Sequence, residues 1–362
     1  MRKLGTMVTA RRPPSLAELP PPPPGKTGWP WTESTAAASA DGAALPSVTV
    51  VTPSYNQAGF LEETIRSVLL QGYPDLEYIV MDGGSSDGSV EIIRRYEPWI
   101  AHWTSGPDGG QSDAINRGWA RASGQVLAWL NSDDTYLPGA VRSAVDRLRR
   151  SPQAVLVYGR SEVCDARGAA VGTSHGRPFD AGELLRGRCP VAQPSAFARA
   201  EAVRRVGALD TALHYAMDAD LWLRLSEVGE ILFEPRTWSR FRLHDASKTS
   251  EGRLRFELDT CDFVARALAR GGVPVESSRP ILARQLARVA LAHLRIADTT
   301  GARAYAARAL REDARIVLDR VARRQLIRSL LGWRVTAVLR TTRHFLRGSA
   351  VAPRPPRCKE AP

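Results

Sequence analysis

From Val48 onward, short apolar runs alternate with longer segments whose apolar residues recur every three or four positions. Val48-Thr-Val-Val-Thr52 is β-branched throughout, as a buried parallel strand requires. A turn, Pro53-Ser-Tyr-Asn56, follows it, and Phe60, Leu61, Ile65, Val68 and Leu69 then fall at helical spacing. Residues 76–81 predict a second strand running into Asp82-Gly-Gly-Ser-Ser-Asp-Gly88, with a helix around Val90, Ile92 and Ile93. A weak third strand is expected near 100–103, and a helix over 111–122. Val126-Leu-Ala-Trp-Leu130 predicts a fourth strand that meets Asn131-Ser-Asp-Asp134, followed by a helix over 138–149 and a strand over 154–158. Strands alternating with helices predict an α/β fold, a doubly wound mixed sheet with helices on both faces.

The flanks differ. Residues 1–46 include the run Pro20 to Pro24 and Ala/Ser/Thr/Gly-rich sequence, and they predict a disordered leader. The folded domain is expected over 47–250. It becomes irregular after 160, with a helix around 201–206, another entered through Met217-Asp-Ala-Asp220, and a strand expected to end at Phe241-Arg-Leu-His244. Residues 251–347 predict an Arg/Ala-rich helical region, with a helical hairpin at 281–312, and 348–362 a disordered basic tail.

Charge sharpens this division. The chain has 362 residues and a formal net charge of +12. Residues 251–362 hold 23 Lys and Arg against 10 Asp and Glu, so the excess belongs to the last third. Within 314–362 the ratio is 12 to 2. There Ile316, Val317, Val321, Ile327, Leu330, Leu331, Val335 and Val338 form a partial apolar stripe bordered by arginines. Such a stretch over 314–347 can lie on an anionic membrane surface, and a helical packing domain with a solvated Arg face is the plainer alternative. No nucleic-acid motif accompanies the charge, so no nucleic-acid partner is expected. Cys164, Cys189, Cys261 and Cys358 lack metal-ligand spacing, which argues for a reducing compartment. No run is long and apolar enough to span a bilayer, and the basic start reads poorly as a secretory signal. A cytoplasmic location follows, peripheral at the inner membrane face if the stripe binds lipid.

Three strand ends in succession carry polar clusters: Thr-Pro-Ser-Tyr-Asn, Asp-Gly-Gly-Ser-Ser-Asp-Gly and Asn-Ser-Asp-Asp. One aspartate after a strand is usually a turn former or a helix cap. Three clusters at one edge of a wound sheet predict a site for a polar ligand, because ligands bind beyond the carboxyl ends of such strands. Adjacent Asp133 and Asp134 can splay toward a hard cation and a ligand hydroxyl. Asp218 and Asp220 begin a helix, where acidic residues are favoured in any case. His244 ends a strand among polar residues, with a structural role as its alternative.

PSVTVVTPSYN, MDGGSSDGS, GQSDAINRGWARASGQVLAWLNSDD, QPS, MDADLWLRL and FRLHDASKTS, in this order, resemble glycosyltransferase family 2 over about 47–250. The resemblance implies a GT-A fold and inverting transfer from a nucleotide sugar, with UDP the expected carrier, to a glycan or lipid-linked acceptor, assisted by Mn²⁺ or Mg²⁺. It implies base or donor contacts from Thr52, Pro53, Tyr55, Asn56, Asp82, Asp87, Gln111, Asp113, Arg117 and Asp133. It further implies metal contacts from Asp134 first, then Asp133 and His244, with Asp218 as general base. Gln193, Ser195 and Asp220 fall on the acceptor side, and residues 108–113 resemble a donor-side loop. Two positions depart from the pattern: Gly83 stands where many relatives have a second Asp, and Asn131 where many have Asp. A nucleotidyltransferase is the nearest rival, but it usually needs a basic Gly-rich loop after the first strand, which TPSYNQAG lacks. A non-catalytic glycan- or membrane-binding protein on the same fold is the rival of another class. A dehydrogenase is disfavoured for want of G-x-G-x-x-G.

Overall fold

The computed structural model describes residues 12–36, 45–244, 252–271 and 275–330. The chain divides into two compact units, Met1–Gly252 and Arg253–Pro362.

In the first unit, β1 (Val48–Ser54) is buried at every position. It pairs in parallel with β2 (Leu76–Asp82), and β2 pairs with β3 (His102–Ser105). On its other side β1 pairs in parallel with β4 (Val126–Trp129). The crossovers are α1 (Ala58–Leu69), α2 (Ser89–Tyr96) and α3 (Gln111–Trp119). Gly118 lets α3 lie close on the sheet, since a Cβ there would stand 2.6 Å from Val51 Cγ1. This half follows the apolar pattern element by element, with the strand near 100–103 realised two residues later.

Beyond β4 the sheet is mixed. β5 (Thr135–Tyr136), α4 (Ala140–Arg149), β6 (Ala154–Cys164), β7 (Ala170–His175), α5 (Ala181–Leu185), β8 (Ala196–Arg199), α6 (Ala200–Val206), α7 (Met217–Ser226) and β9 (Glu230–Arg242) follow in the chain. The sheet order is β3-β2-β1-β4-β8-β6-β9-β5, with β7 on β6. β8 lies antiparallel to both β4 and β6, and β9 runs parallel to β6. β5, with two residues, is too short for a periodic signal.

The leader differs from its expectation. Residues 12–36 are ordered against the domain, with Leu19 and Trp31 buried. The reason is Arg66 on α1, which is fully buried. Its guanidinium donates to the carbonyls of Pro20 (2.8 Å), Pro30 (3.0 Å) and Trp31 (2.9 Å), and to Tyr96 Oη (3.0 Å). Trp29 Nε1 donates to the Tyr136 carbonyl at 2.7 Å. A buried cation needs acceptors, and a proline-rich strand has carbonyls with no internal partners to offer. The rest of the leader, 1–11 and 37–44, lies outside the described residues.

The second unit contains α8 (Arg253–Ala269), α9 (Val275–Arg295) and α10 (Thr299–Glu312). Three residues, 296–298, join α9 to α10, and Asp298 caps α10 by accepting from Gly301 N at 2.8 Å. Small residues at the contact (Ala283, Ala287, Ala290, Ala306 and Ala309) allow close helix packing. Of the expected apolar stripe, Ile316 is buried while Val317, Val321, Ile327 and Leu330 are exposed. Its remainder, 331–347, and the tail 348–362 lie outside the described residues. Among those described, no helix is long and apolar enough to cross a membrane.

Candidate functional site

The parallel strands β1, β2 and β4 end at one edge, where the three polar clusters leave the sheet. After β1, Tyr55 is 63% exposed, whereas Thr52 is fully buried and its hydroxyl accepts from Tyr78 Oη at 3.0 Å. Thr52 therefore turns its hydroxyl into the core, and Pro53 is buried as well. Asn56 has φ of 51°, a left-handed conformation that Asn tolerates. Its Oδ1 accepts from Ser86 N at 2.9 Å, tying the first loop to the second.

After β2, Asp82 is buried at 2% exposure. Its oxygens accept from Gly84 N (3.1 Å), Ser85 N (2.9 Å), Ser85 Oγ (2.6 Å) and Ser105 Oγ (2.6 Å). Asp87 accepts from Ala58 N (2.8 Å), Ser89 N (3.1 Å) and Ser89 Oγ (2.6 Å). Burial works against ionisation of Asp87, but these hydrogen bonds outweigh it and hold its carboxyl below the usual range. Both carboxylates thus shape the loop, Asp82 from a buried position and Asp87 from an exposed one.

After β4, an amide cluster holds the turn. Asn131 Oδ1 accepts from Gln111 Nε2 at 2.7 Å, and Asn131 Nδ2 donates to Gln193 Oε1 at 3.1 Å. Gln193 Nε2 in turn donates to the Trp129 carbonyl at 3.0 Å. Asp134 points inward: it is 1% exposed and accepts from Arg242 N (3.0 Å) and Asn131 Nδ2 (3.2 Å). Burial, then the neighbouring Asp133 charge, push its carboxyl well above the usual range. Asp133 faces the other way, 18% exposed, with Oδ2 3.0 Å from His244 Nε2. The His244 ring leans on Phe60, centroids 4.6 Å apart. Arg242 braces this corner, donating to the Asp133 carbonyl at 2.9 Å and pairing with Glu63 at 3.1 Å. The geometry thus favours Asp133, not Asp134, as the outward carboxylate of the pair, because a backbone donor 108 residues away captures Asp134.

Among the described residues, no group of three or more His, Cys, Asp or Glu side chains is gathered for a metal. In residue chemistry Asp133 and His244, a carboxylate and an imidazole, still fit a divalent cation such as Mn²⁺ as a partial set.

Asp218 lies in the first turn of α7, half-buried. The segment leading into that turn is pinned to α3. Ser112 Oγ donates to the Leu213 carbonyl at 3.4 Å, and Asn116 exchanges two hydrogen bonds with Leu209, of 2.8 and 3.0 Å. One turn further along, Trp222 stacks on Trp129 of β4, centroids 5.3 Å apart.

Three other candidates are engaged elsewhere. Asp220 is buried and paired with Arg224 at 2.8 Å, while Arg224 gathers the carbonyls of Val206, Gly207 and Ala208 at the end of α6. Ser195 is fully buried and bonded to Ser239 Oγ (2.6 Å) and the Arg160 carbonyl (2.8 Å). These two therefore fasten strands and helices together rather than facing an acceptor. Arg117 pairs with Asp113 at 2.7 Å on the exposed side of α3. Sequence reasoning passed over Arg242 as a brace; its one signal was an arginine inside the apolar Phe241–Leu243 stretch.

Residues 49–207 match the family described as Glycosyl transferase family 2. An uncharacterized glycosyltransferase of Mycobacterium tuberculosis (strain H37Rv) is 35% identical over 194 residues, covering 51% of this chain and 71% of the relative. The chondroitin synthase of Pasteurella multocida is 27% identical over 192 residues, 51% of this chain and 19% of that protein. Among solved structures, Staphylococcus aureus TarS 1–349 in complex with UDP-GlcNAc superposes with a TM-score of 0.59 at 16% identity, covering 78% of this chain and 89% of that one. The mannosyltransferase PcManGT from Pyrobaculum calidifontis, in complex with GDP-Man and Mn²⁺, gives 0.52 at 22% identity, covering 83% and 90%. The sheet is GT-A-like, and kinship of this extent means that the chain belongs to glycosyltransferase family 2, with glycosyl transfer as its activity.

Proposed function

We propose that this chain moves a sugar from a nucleoside diphosphate donor, with uridine as the base, to a hydroxyl of a glycan or lipid-linked acceptor, with inversion at the anomeric carbon. The observation that carries this reading is the outward carboxylate of Asp133, held 3.0 Å from His244 Nε2 at the end of β4. Asp133 and His244 would hold a divalent cation, which when bound offsets the charge of the departing diphosphate. Tyr55 offers an exposed ring for the base. The Gln111–Asn131–Gln193 amides fix the loop that carries Asp133. Asp218 takes the proton of the acceptor hydroxyl as that oxygen bonds to the anomeric carbon and the diphosphate leaves. A direct displacement needs no second carboxylate behind the sugar ring.

The test is a panel of UDP-, GDP- and dTDP-sugars with Mn²⁺ or Mg²⁺, using the wild-type chain and Asp218→Asn. The expected result is turnover of a UDP-sugar that stops in EDTA. The variant should retain donor binding but transfer on the order of 10²–10⁴-fold more slowly. Full turnover in EDTA removes the metal role, and normal transfer by the variant removes the base assignment.

A further inference from the structure

From the end of β2 to the first turn of α3 stand four aspartates, and three are spent on the fold. Asp82 and Asp87 are bound into their own loop, and Asp113 takes Gly109 N at 2.8 Å and Arg117 at 2.7 Å. Asp108 differs. Its Oδ1 accepts from Gly110 N at 2.8 Å, which fixes the carboxylate plane, while Oδ2 has no hydrogen-bond partner among the described residues. Oδ2 points at the spot where Gly83 lacks a side chain: a Cβ there would stand 3.1 Å from it and 3.3 Å from Tyr55 Cδ2. The backbone keeps these loops together, since Gly83 N donates to the Ser54 carbonyl at 2.8 Å and Gly106 N to the Asp82 carbonyl at 3.0 Å. A half-buried carboxylate and an exposed aromatic ring therefore converge over one glycine.

We infer that Asp108 reads the hydrogen-bonding edge of the donor's base, from the space that Gly83 leaves open. This rests on the nucleotide-sugar reading above and names the residue that selects the base. An ionised carboxylate only accepts, so it selects a base presenting an N–H at that edge. Uracil presents one ring N–H between two carbonyls, which matches one available oxygen. Guanine presents two adjacent N–H groups that are best matched by both oxygens, and Gly110 N already takes one acceptor site on Oδ1 and fixes its direction, which favours the single N–H of uracil. The corresponding ring nitrogens of cytosine and adenine are acceptors and are repelled. The Tyr55 face supplies stacking without regard to base identity.

The experiment is calorimetric titration of the full-length chain and of Asp108→Asn, in Mn²⁺, with UDP, N3-methyl-UDP, CDP and GDP. The asparagine keeps an acceptor for Gly110 N, so the loop should hold. Wild-type protein should bind UDP roughly tenfold to a hundredfold tighter than N3-methyl-UDP or CDP. In the variant that difference should fall to about threefold or less, with the N3-methyl-UDP affinity little changed. An equal N3-methyl penalty in both proteins overturns the assignment while leaving the donor reading intact. GDP bound more tightly than UDP overturns the single-N–H choice. Failure of the wild-type chain to bind any of the four overturns the donor reading and this inference together. Should the variant not fold, the wild-type comparison still decides: no discrimination against N3-methyl-UDP overturns the role.

Discussion

The loops after β2 and β4 carry similar residues and do opposite things with them. In the first, Asp82 and Asp87 face their own chain, and their oxygens satisfy backbone amides and serine hydroxyls within a few residues or one loop away. In the second, Asp134 is drawn inward by Arg242 N while Asp133 stays outside with His244. The difference is one of hydrogen-bond supply. The Gly-Gly-Ser-Ser stretch provides many local donors, so its carboxylates are consumed as they emerge. Asn-Ser-Asp-Asp provides few, and a distant strand satisfies one carboxylate and frees the other. Acidic residues at a strand end thus announce a site only after their own donors are accounted for.

Swapping the outcomes is the direct challenge. Asp133→Asn should lower sugar transfer on the order of 10²–10³-fold with its melting temperature nearly unchanged, read by donor turnover beside circular dichroism. An unaltered rate would place the chemistry elsewhere. Asp82→Ala should act the other way round: it leaves four donors without their acceptor and should cost about 3 kcal/mol of stability in urea unfolding, with the activity of the folded fraction largely kept. A stable, inactive Asp82→Ala would instead mean that this carboxylate meets the donor. The smallest effect belongs to Asp87. Its carboxyl is held low in the folded state, so the stability it gives is present above the ordinary carboxylate range and is lost as pH falls through its folded value. Asp87→Asn should therefore lose less than about 1 kcal/mol at neutral pH and should flatten the acid limb of the stability curve, seen as urea midpoints that differ less between pH 7 and pH 3.

The wound half of the sheet was legible because its signals are local. The β-branched run at Val48 and the helical spacing of Phe60, Leu61, Ile65 and Val68 each need only their neighbours to be interpreted. The polar strand ends were legible for the same reason. Orientation was not. Asp134 could be ranked before Asp133 only while the partner on β9 was unknown, and the inward turn of Ser195 depends on Ser239, 44 residues on. Asp220 looked like part of a paired acidic motif, and only Arg224 with its three carbonyls shows it to be a brace. The proline-rich leader misled in the same way, because its composition describes a segment that cannot build a core, not one that can complete someone else's.

That last contact sets where the folded unit begins. The match to the family starts at residue 49, yet a guanidinium in the middle of α1 depends on carbonyl oxygens 35 to 46 positions upstream. Trimming the protein to the matched segment would leave a cation sealed in the interior with its oxygen ligands cut away. The shortest version that keeps that charge solvated by protein retains the segment from Pro20 onward.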